Sequence, residues 1–148
     1  MEIAVLALGC FWGPEIKFSK LDGVVQTEVG YCGGNSSSTN YEEVCTGKTN
    51  HAEVVKLEFD NSKISYEKIL DYFFEIHNPT TLNKQGPDIG TQYRSEIFYL
   101  NDNQKKTAEN VLEKYNKKYN GKIVTIISEI KNYCKAEEYH QKYLEKKF

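Results

Sequence analysis

The chain has 148 residues and a mass of 17.1 kDa, which is the size of a single domain that can bury a core without disulfide bonds. Its 19 basic and 21 acidic side chains give a net charge of −2 and are dispersed, so the sequence has no basic patch typical of nucleic-acid binding. It contains no apolar run of about 18 residues and leaves no room for a signal peptide before Cys10. We therefore expect one soluble, cytoplasmic domain spanning residues 1–148, with its four cysteines as thiols.

The first motif is Gly9-Cys10-Phe11-Trp12-Gly13, which follows an apolar run, Ile3–Leu8, that predicts a buried strand. Pro14 is tolerated in the first turn of a helix, so the helix that follows begins near Phe11 and leaves Cys10 at its N-terminus. The helix dipole favours a thiolate there, as a nucleophilic cysteine requires. The alternative is a buried structural cysteine behind a core strand.

An acidic residue begins the third predicted strand. Alternation predicts strands at 24–31, with Val25 on the apolar face, and at 52–59, separated by a Gly-Ser loop and a short helical turn over 41–45. Glu53 has the parity of the apolar face that Val55 and Leu57 define. Burial would raise the pKa of this carboxyl and make it a general acid. The alternative is that Glu53 lies at a frayed strand end and reaches water.

The second half of the chain alternates helices and strands around one long irregular segment. Ser65 is a plausible N-cap for an amphipathic helix that His77 closes, and we interpret His77 as a helix-end residue rather than a catalytic base. Residues 78–93 are irregular and carry Asp88 and Tyr93 to the start of the next strand. The remaining predicted elements are a strand over 94–100, a helix over 102–119, a strand over 123–130 and an amphipathic stretch over 136–144.

This order of elements predicts an α+β fold, or an α/β two-layer sandwich, with a mixed β-sheet covered by helices. Loops at one edge of such a sheet would gather Cys10, Tyr41, Glu53 and the 88–93 segment. The four cysteines are widely spaced and form no Cys-x-x-Cys pair, so we expect no metal site.

The motif around Cys10 resembles the active-site signature of the peptide methionine sulfoxide reductase A (MsrA) family. Five further segments repeat the resemblance in the family's order: Gly30-Tyr31-Cys32-Gly33-Gly34, Tyr41-Glu42-Glu43-Val44-Cys45-Thr46-Gly47, His51-Ala52-Glu53-Val54-Val55, Asp88-Ile89-Gly90-Thr91-Gln92-Tyr93-Arg94-Ser95 and Ala136-Glu137-Glu138-Tyr139-His140-Gln141. The resemblance implies a ferredoxin-like core and the reduction of methionine S-sulfoxide, free or in proteins. It implies no bound cofactor and makes Cys10 the nucleophile and Glu53 the acid.

The resemblance also implies roles around the substrate. Phe11 and Trp12 would enclose the methyl group, the hydroxyls of Tyr41 and Tyr93 would hydrogen-bond the sulfoxide oxygen, and Asp88 would act through water or by orienting a neighbour. Loss of the oxygen would leave a sulfenic acid on Cys10. An external thiol would regenerate the enzyme, from thioredoxin, glutaredoxin, glutathione or dithiothreitol.

The cysteines depart from the family pattern. Many members carry resolving cysteines in a C-terminal tail, and this chain has none beyond Cys134. Cys134 and Cys32 are therefore possible resolving residues, with Cys134 favoured; otherwise an external thiol resolves Cys10 directly. Cys45 matches a family position without a redox role and is interpreted as structural. Two other classes stay open, a thiol peroxidase or thiol-disulfide oxidoreductase and a non-enzymatic ferredoxin-like binding module.

Overall fold

The structure is a computed structural model that describes residues 1–147, with side chains through residue 146. The larger strands are β1 (Glu2–Leu8), β2 (Val24–Cys32), β3 (Ala52–Phe59), β6 (Ser95–Tyr99) and β7 (Ile126–Glu129). The short ones are β4 (Lys84–Gln85), β5 (Asp88–Ile89) and β8 (Cys134–Lys135). The helices are α1 (Trp12–Ser19), α2 (Tyr41–Cys45), α3 (Tyr66–Glu75), α4 (Asp102–Lys118) and α5 (Tyr143–Lys147), with 3-10 turns at Thr91–Tyr93 and Glu138–His140.

Six strands form one sheet in the order β7-β6-β1-β3-β2-β8, and β4 and β5 form a separate hairpin. All neighbouring pairs in the sheet are antiparallel except β6 and β7, so the sheet is mixed. Within it, β1-α1-β2-β3-α3-β6 makes a β-α-β-β-α-β unit with spatial order β6-β1-β3-β2. This confirms the predicted α+β fold and its ferredoxin-like core.

The larger core lies between one face of the sheet and the helices. Side chains of β1 such as Leu6 point to this face and pack with Phe18 of α1, Phe73 of α3 and Val111 of α4. The alternate side chains of β1, such as Val5, contribute to a smaller cluster on the opposite face. The two faces therefore have different environments, and this decides which strand residues reach the site described below.

Helix ends follow the predicted capping. The Ser65 side chain accepts a hydrogen bond from the Lys68 N–H at 3.1 Å, which confirms it as the N-cap of α3. His77 lies just beyond this helix, where its ring nitrogens bond the Phe73 carbonyl and the Ser95 hydroxyl at 2.5 and 2.8 Å. Burial lowers its pKa to about 4. The structure thus gives His77 a helix-end role, in agreement with the sequence interpretation.

Three details of the strands and helices differ from the predictions. Val25 is exposed because the pairing register of β2 and β3 shifts between Val24 and Gln26, which moves Val25 off the apolar face. The strand predicted from residue 123 begins only at residue 126, since the Val124 N–H bonds the Pro79 carbonyl instead of the sheet. The C-terminal stretch is a 3-10 turn and a short helix, separated by Lys142 with a φ of +52°. No helix in residues 1–147 is both long and apolar enough to cross a membrane.

Candidate active site

The candidate nucleophile lies in the bend between β1 and α1. β1 ends at Leu8 and α1 begins at Trp12, so Cys10 occupies the predicted position just before the helix. Gly9 forms the bend with a φ of +99°, and a Cβ atom at this position would come within 2.7 Å of the Gln85 side chain. A glycine here therefore lets the β4–β5 hairpin pack directly beside the cysteine.

The thiol of Cys10 is not held ionised in the free protein. Burial raises its pKa to about 11. The Trp12 N–H at the start of α1 lowers the pKa, but burial outweighs it, and the charges of Glu53 and Asp88 raise the pKa further. The prediction that the helix N-terminus alone would maintain a thiolate is therefore wrong. The predicted position of Cys10 just before the helix is correct. The local sequence does not show how deeply the sulfur is buried, and this burial determines its pKa.

Glu53 is the second residue of β3 and is buried at 1% exposure. Its Oε1 atom accepts the Phe11 N–H at 3.2 Å, which ties the carboxyl to the residue next to Cys10. Its Oε2 atom is buried and has no hydrogen-bond partner among the described residues. Burial raises the pKa of Glu53 to about 8, although the Phe11 N–H lowers it. The frayed-end alternative is thus wrong, because this side chain lies inside the protein.

Asp88 and Tyr93 reach the same region from the irregular segment. Asp88 lies in β5, and its charge raises the pKa of both Cys10 and Glu53. Tyr93 ends the Thr91–Tyr93 turn, and burial raises the pKa of its hydroxyl to about 12, with further contributions from charge on Glu53 and other site residues. The Tyr93 hydroxyl and the Asp88 carboxyl therefore lie close enough to Cys10 to interact with it electrostatically, and the predicted approach of the 88–93 segment to Cys10 is observed.

Trp12 is held in place by His140 and Tyr143, two residues for which the sequence predicts no role in the site. Its indole N–H donates to the Nδ1 atom of His140 at 3.1 Å, and its ring stacks on Tyr143 with centroids 3.9 Å apart. The buried ring of His140 also packs against Phe11 and Tyr41, with centroids 5.3 and 4.6 Å apart. Burial lowers the pKa of His140, which keeps Nδ1 free to accept the indole proton. Phe11 itself is almost fully buried beneath this aromatic group.

Glu137 anchors the tyrosines of the site. It accepts the Tyr31 hydroxyl at 2.8 Å and the Tyr41 N–H at 3.0 Å. Burial acts to raise the pKa of Glu137, but these hydrogen bonds outweigh it and lower the pKa. Glu137 and His140 both belong to the family-like segment over 136–141, so the sequence contains a signal for them. What the segment could not show is which residues it contacts.

Comparisons with known proteins agree with this geometry. A family model described as peptide methionine sulfoxide reductase matches residues 2–148. The chain belongs to this family. A peptide methionine sulfoxide reductase MsrA from Pelagibacter ubique (strain HTCC1062) is 72% identical over 147 residues, which cover 99% of this chain and 100% of the relative. The predicted family resemblance is thereby confirmed.

Solved structures of the family have the same fold. Mxr1 from Saccharomyces cerevisiae in reduced form matches with a TM-score of 0.94 and 43% identity, covering 98% of this chain and 84% of that chain. Mxr1 in complex with Trx2 matches with a TM-score of 0.69 and 30% identity, covering 96% of this chain and 84% of that chain.

Two cysteines of this family member lie on the sheet, Cys32 on β2 and Cys134 on β8, and not on the strand that leads into Cys10. Cys32 is fully buried and pairs with Ala52, whereas its neighbour Tyr31 pairs with Glu53. Because side chains alternate along a strand, Cys32 points to the face opposite Glu53. Its thiol donates to the Lys131 carbonyl at 3.2 Å on that side. The structure therefore contradicts Cys32 as a resolving residue.

Cys134 shares the face of Glu53 but lies at the other edge of the sheet. It pairs with Tyr31 on β8, and β3 and β2 separate β8 from β1. Three strand spacings of about 4.8 Å separate β8 from β1, the strand that leads into Cys10, by about 14 Å, whereas a disulfide tolerates a Cα separation of about 7 Å. A Cys10–Cys134 disulfide would require the sheet edge to rearrange, so the structure disfavours this prediction.

Cys45 is not a structural residue. It is exposed and belongs to neither core cluster. Burial and the neighbouring Cys45 thiol both raise the pKa of Tyr41, and charge on Cys45 also raises the pKa of Cys10. Cys45, which the family resemblance makes a structural residue, therefore borders the site. Among residues 1–147 no group of three or more acidic, histidine or cysteine side chains could hold a metal ion.

Proposed function

We propose that this member of the family reduces methionine S-sulfoxide, free or in proteins, with Cys10 as the nucleophile and Glu53 as the proton donor. The observation that carries the assignment is the Oε2 atom of Glu53, a buried oxygen without a partner on a carboxyl whose pKa is raised to about 8. Such a carboxyl is largely protonated at neutral pH and has one oxygen free to donate. A sulfoxide oxygen supplies the missing acceptor.

The reaction needs no external proton. Glu53 donates its proton to the sulfoxide oxygen as the sulfur of Cys10 attacks the sulfoxide sulfur. The sulfur–oxygen bond of the substrate breaks, oxygen is transferred to Cys10 as a sulfenic acid, and methionine leaves. The thiol proton of Cys10 returns to Glu53. Because burial raises the pKa of both groups, the two protons are present before substrate binds.

The surrounding side chains suit a methyl sulfoxide. We assign the methyl group to the aromatic surface of Trp12 and the buried Phe11, which would exclude water from the attacked sulfur. The hydroxyls of Tyr41 and Tyr93 stay protonated, since burial raises the pKa of each, and would donate to the developing charge on oxygen. Asp88 would act through water or by orienting one of these groups.

The high pKa of Cys10 argues against a thiol peroxidase. A peroxidase cysteine reacts with peroxide as a thiolate, and at neutral pH a thiol with a pKa of about 11 is almost entirely protonated. A sulfoxide differs from a peroxide in that protonation by a neighbouring acid makes its sulfur electrophilic. The Glu53 carboxyl therefore has a direct use in sulfoxide reduction, where it acts on the atom bonded to the attacked sulfur.

We further propose that a thioredoxin-type dithiol regenerates Cys10, in line with the complex of the yeast relative Mxr1 with Trx2. Glutaredoxin with glutathione, or dithiothreitol in the test tube, would serve by the same exchange chemistry. The four cysteines are all free, which suits a reducing compartment such as the cytoplasm. We assign the whole activity to one catalytic domain over residues 1–148.

The test is the reduction of each sulfoxide epimer of a blocked methionine with dithiothreitol, measured as methionine formed per chain. We expect only the S epimer to react, no methionine with Cys10→Ser, and a loss of about 10² to 10⁴ in kcat with Glu53→Gln. Glu58→Gln is the matched control, because Glu58 lies on the same strand, away from the site. Full activity of Glu53→Gln would contradict the proposed acid, and equal reduction of both epimers would contradict the proposed specificity.

A further inference from the structure

The helix that carries Cys45 presents it on the side of the active site. Tyr41 and Cys45 are the first and last residues of α2, four positions apart, and therefore lie on one helical face. The Tyr41 ring packs on His140 with centroids 4.6 Å apart, and His140 packs on Phe11, the residue next to Cys10. The face of α2 that contains Cys45 is thus turned toward the candidate nucleophile.

The chain after Cys45 approaches the opposite wall of the site. Two residues on, a Cβ atom at Gly47 would lie 3.9 Å from the hydroxyl oxygen of Thr91, which begins the turn that ends at Tyr93. The end of α2 that contains Cys45 therefore lies beside the turn that contains Tyr93, one of the two tyrosines assigned to the sulfoxide oxygen. Charge on Cys45 acts on Cys10 and on Tyr93, in agreement with this position.

We propose that Cys45 is the resolving cysteine of this chain and forms a disulfide with Cys10 after each oxygen transfer. The proposal rests on the proposed function, which supplies the sulfenic acid. Cys32 lies on the opposite sheet face and Cys134 lies three strands away, so Cys45 is the remaining thiol with access. α2 buries only Val44, so few apolar contacts oppose an approach of its last turn to Cys10.

The step balances without an added oxidant. The Cys45 sulfur attacks the sulfenic sulfur of Cys10, a sulfur–sulfur bond forms, and the sulfur–oxygen bond breaks. The hydroxyl leaves with the Cys45 proton as water. Cys45 is oxidised and Cys10 is reduced by one level each. The disulfide that results is the substrate for a thioredoxin-type dithiol, which returns both cysteines to thiols.

The experiment counts thiols lost per methionine formed when the full, reduced chain meets excess blocked methionine S-sulfoxide without reductant. We expect two thiols lost per methionine, a Cys10–Cys45 disulfide in the peptide map and little trapping by dimedone. Cys45→Ser should lose one thiol per methionine and carry dimedone on Cys10. Cys134→Ser is the matched control and should behave like the unmodified sequence. Because the readout is a ratio, a slower reaction leaves it unchanged, and Cys45 is exposed, so its loss leaves the core intact.

Excess hydrogen peroxide provides a second arm that does not depend on sulfoxide reduction. At pH 9, where more of the Cys10 thiol is ionised than at neutral pH, it oxidises the thiols directly, and we expect the same Cys10–Cys45 disulfide. A disulfide to Cys134 or Cys32, or a Cys10 sulfenic acid that dimedone traps equally with and without Cys45, would overturn the proposal. Absence of methionine in the first arm, together with the expected disulfide in the second, would overturn the proposed function and leave the resolving role supported.

Discussion

Replacing Glu53 by glutamine should make stability less dependent on pH. The pKa of this carboxyl rises from an ordinary 4.5 to about 8 in the folded chain. A raised pKa means that the contribution of Glu53 to stability is full below pH 4.5 and is lost as the pH rises to about 8. At pH 7 the loss is about 2.5 pKa units, or about 3 kcal/mol. Glu53→Gln removes the titrating group, so it escapes this loss.

The assay is urea denaturation followed by circular dichroism at pH 4.5, 7 and 8.5. The free energy of unfolding of the unmodified chain, relative to Glu53→Gln, should fall by about 3 kcal/mol between the first two pH values, since all other groups titrate equally in both proteins. Glu137→Gln is the control. The pKa of Glu137 is lowered, so its contribution is present above pH 4.5 and is lost only below that value, and the curve of Glu137→Gln should run nearly parallel to that of the unmodified chain over the assayed pH values. Parallel pH curves for the unmodified chain and Glu53→Gln would refute the claim that Glu53 is held protonated.

Three further predictions concern activity. The kcat/KM for blocked methionine S-sulfoxide should fall as the pH rises through about 8, because Glu53 then ionises; a flat profile to pH 10 would exclude it as the acid. Phenylalanine at Tyr41 or Tyr93 should lower kcat/KM by about tenfold each, the value of one hydrogen bond of about 1.4 kcal/mol, and an unchanged rate would remove that hydroxyl from the site. His140→Leu should increase acrylamide quenching of Trp12, the only tryptophan, and weaken the preference for methyl over ethyl sulfoxides, whereas His140→Asn retains an acceptor and should preserve both.

The strand pattern predicted the face of Glu53 because successive side chains of a strand point to opposite faces of the sheet. Glu53 shares its parity with Val55, and Tyr31 opposite it on β2 belongs to the same apolar face. The same rule was wrong for Val25, because the pairing register shifts at this residue, between Val24 and Gln26, and the alternation of side chains within β2 does not show that shift. Alternation thus predicts a face only where pairing with the neighbouring strand is regular.

The parts of the site that escaped prediction depend on contacts between distant segments. The indole of Trp12 meets His140 across 128 positions, and Tyr41 meets Glu137 across 96. Local patterns contain no information about such contacts. Cys45 was misjudged for the same reason, since its place beside the site follows from how α2 packs rather than from its sequence neighbours. A family-like segment indicates which residues have a role in the site, but the residues that they contact are determined by the fold.

The protonated state of Cys10 also bears on how the enzyme meets the oxidants that generate its substrate. A pKa of about 11 in place of 9.0 lowers the thiolate fraction at neutral pH about a hundredfold. The rate of Cys10 oxidation by hydrogen peroxide should therefore rise about tenfold per pH unit from pH 7 to 10. Dimedone trapping in Cys45→Ser measures this rate directly. A plateau near pH 8 would mean that the thiol is already ionised there and would favour peroxidase chemistry. A continuous rise would mean that Cys10 is protected from peroxide at neutral pH and depends on a sulfoxide, with Glu53, for its reactivity.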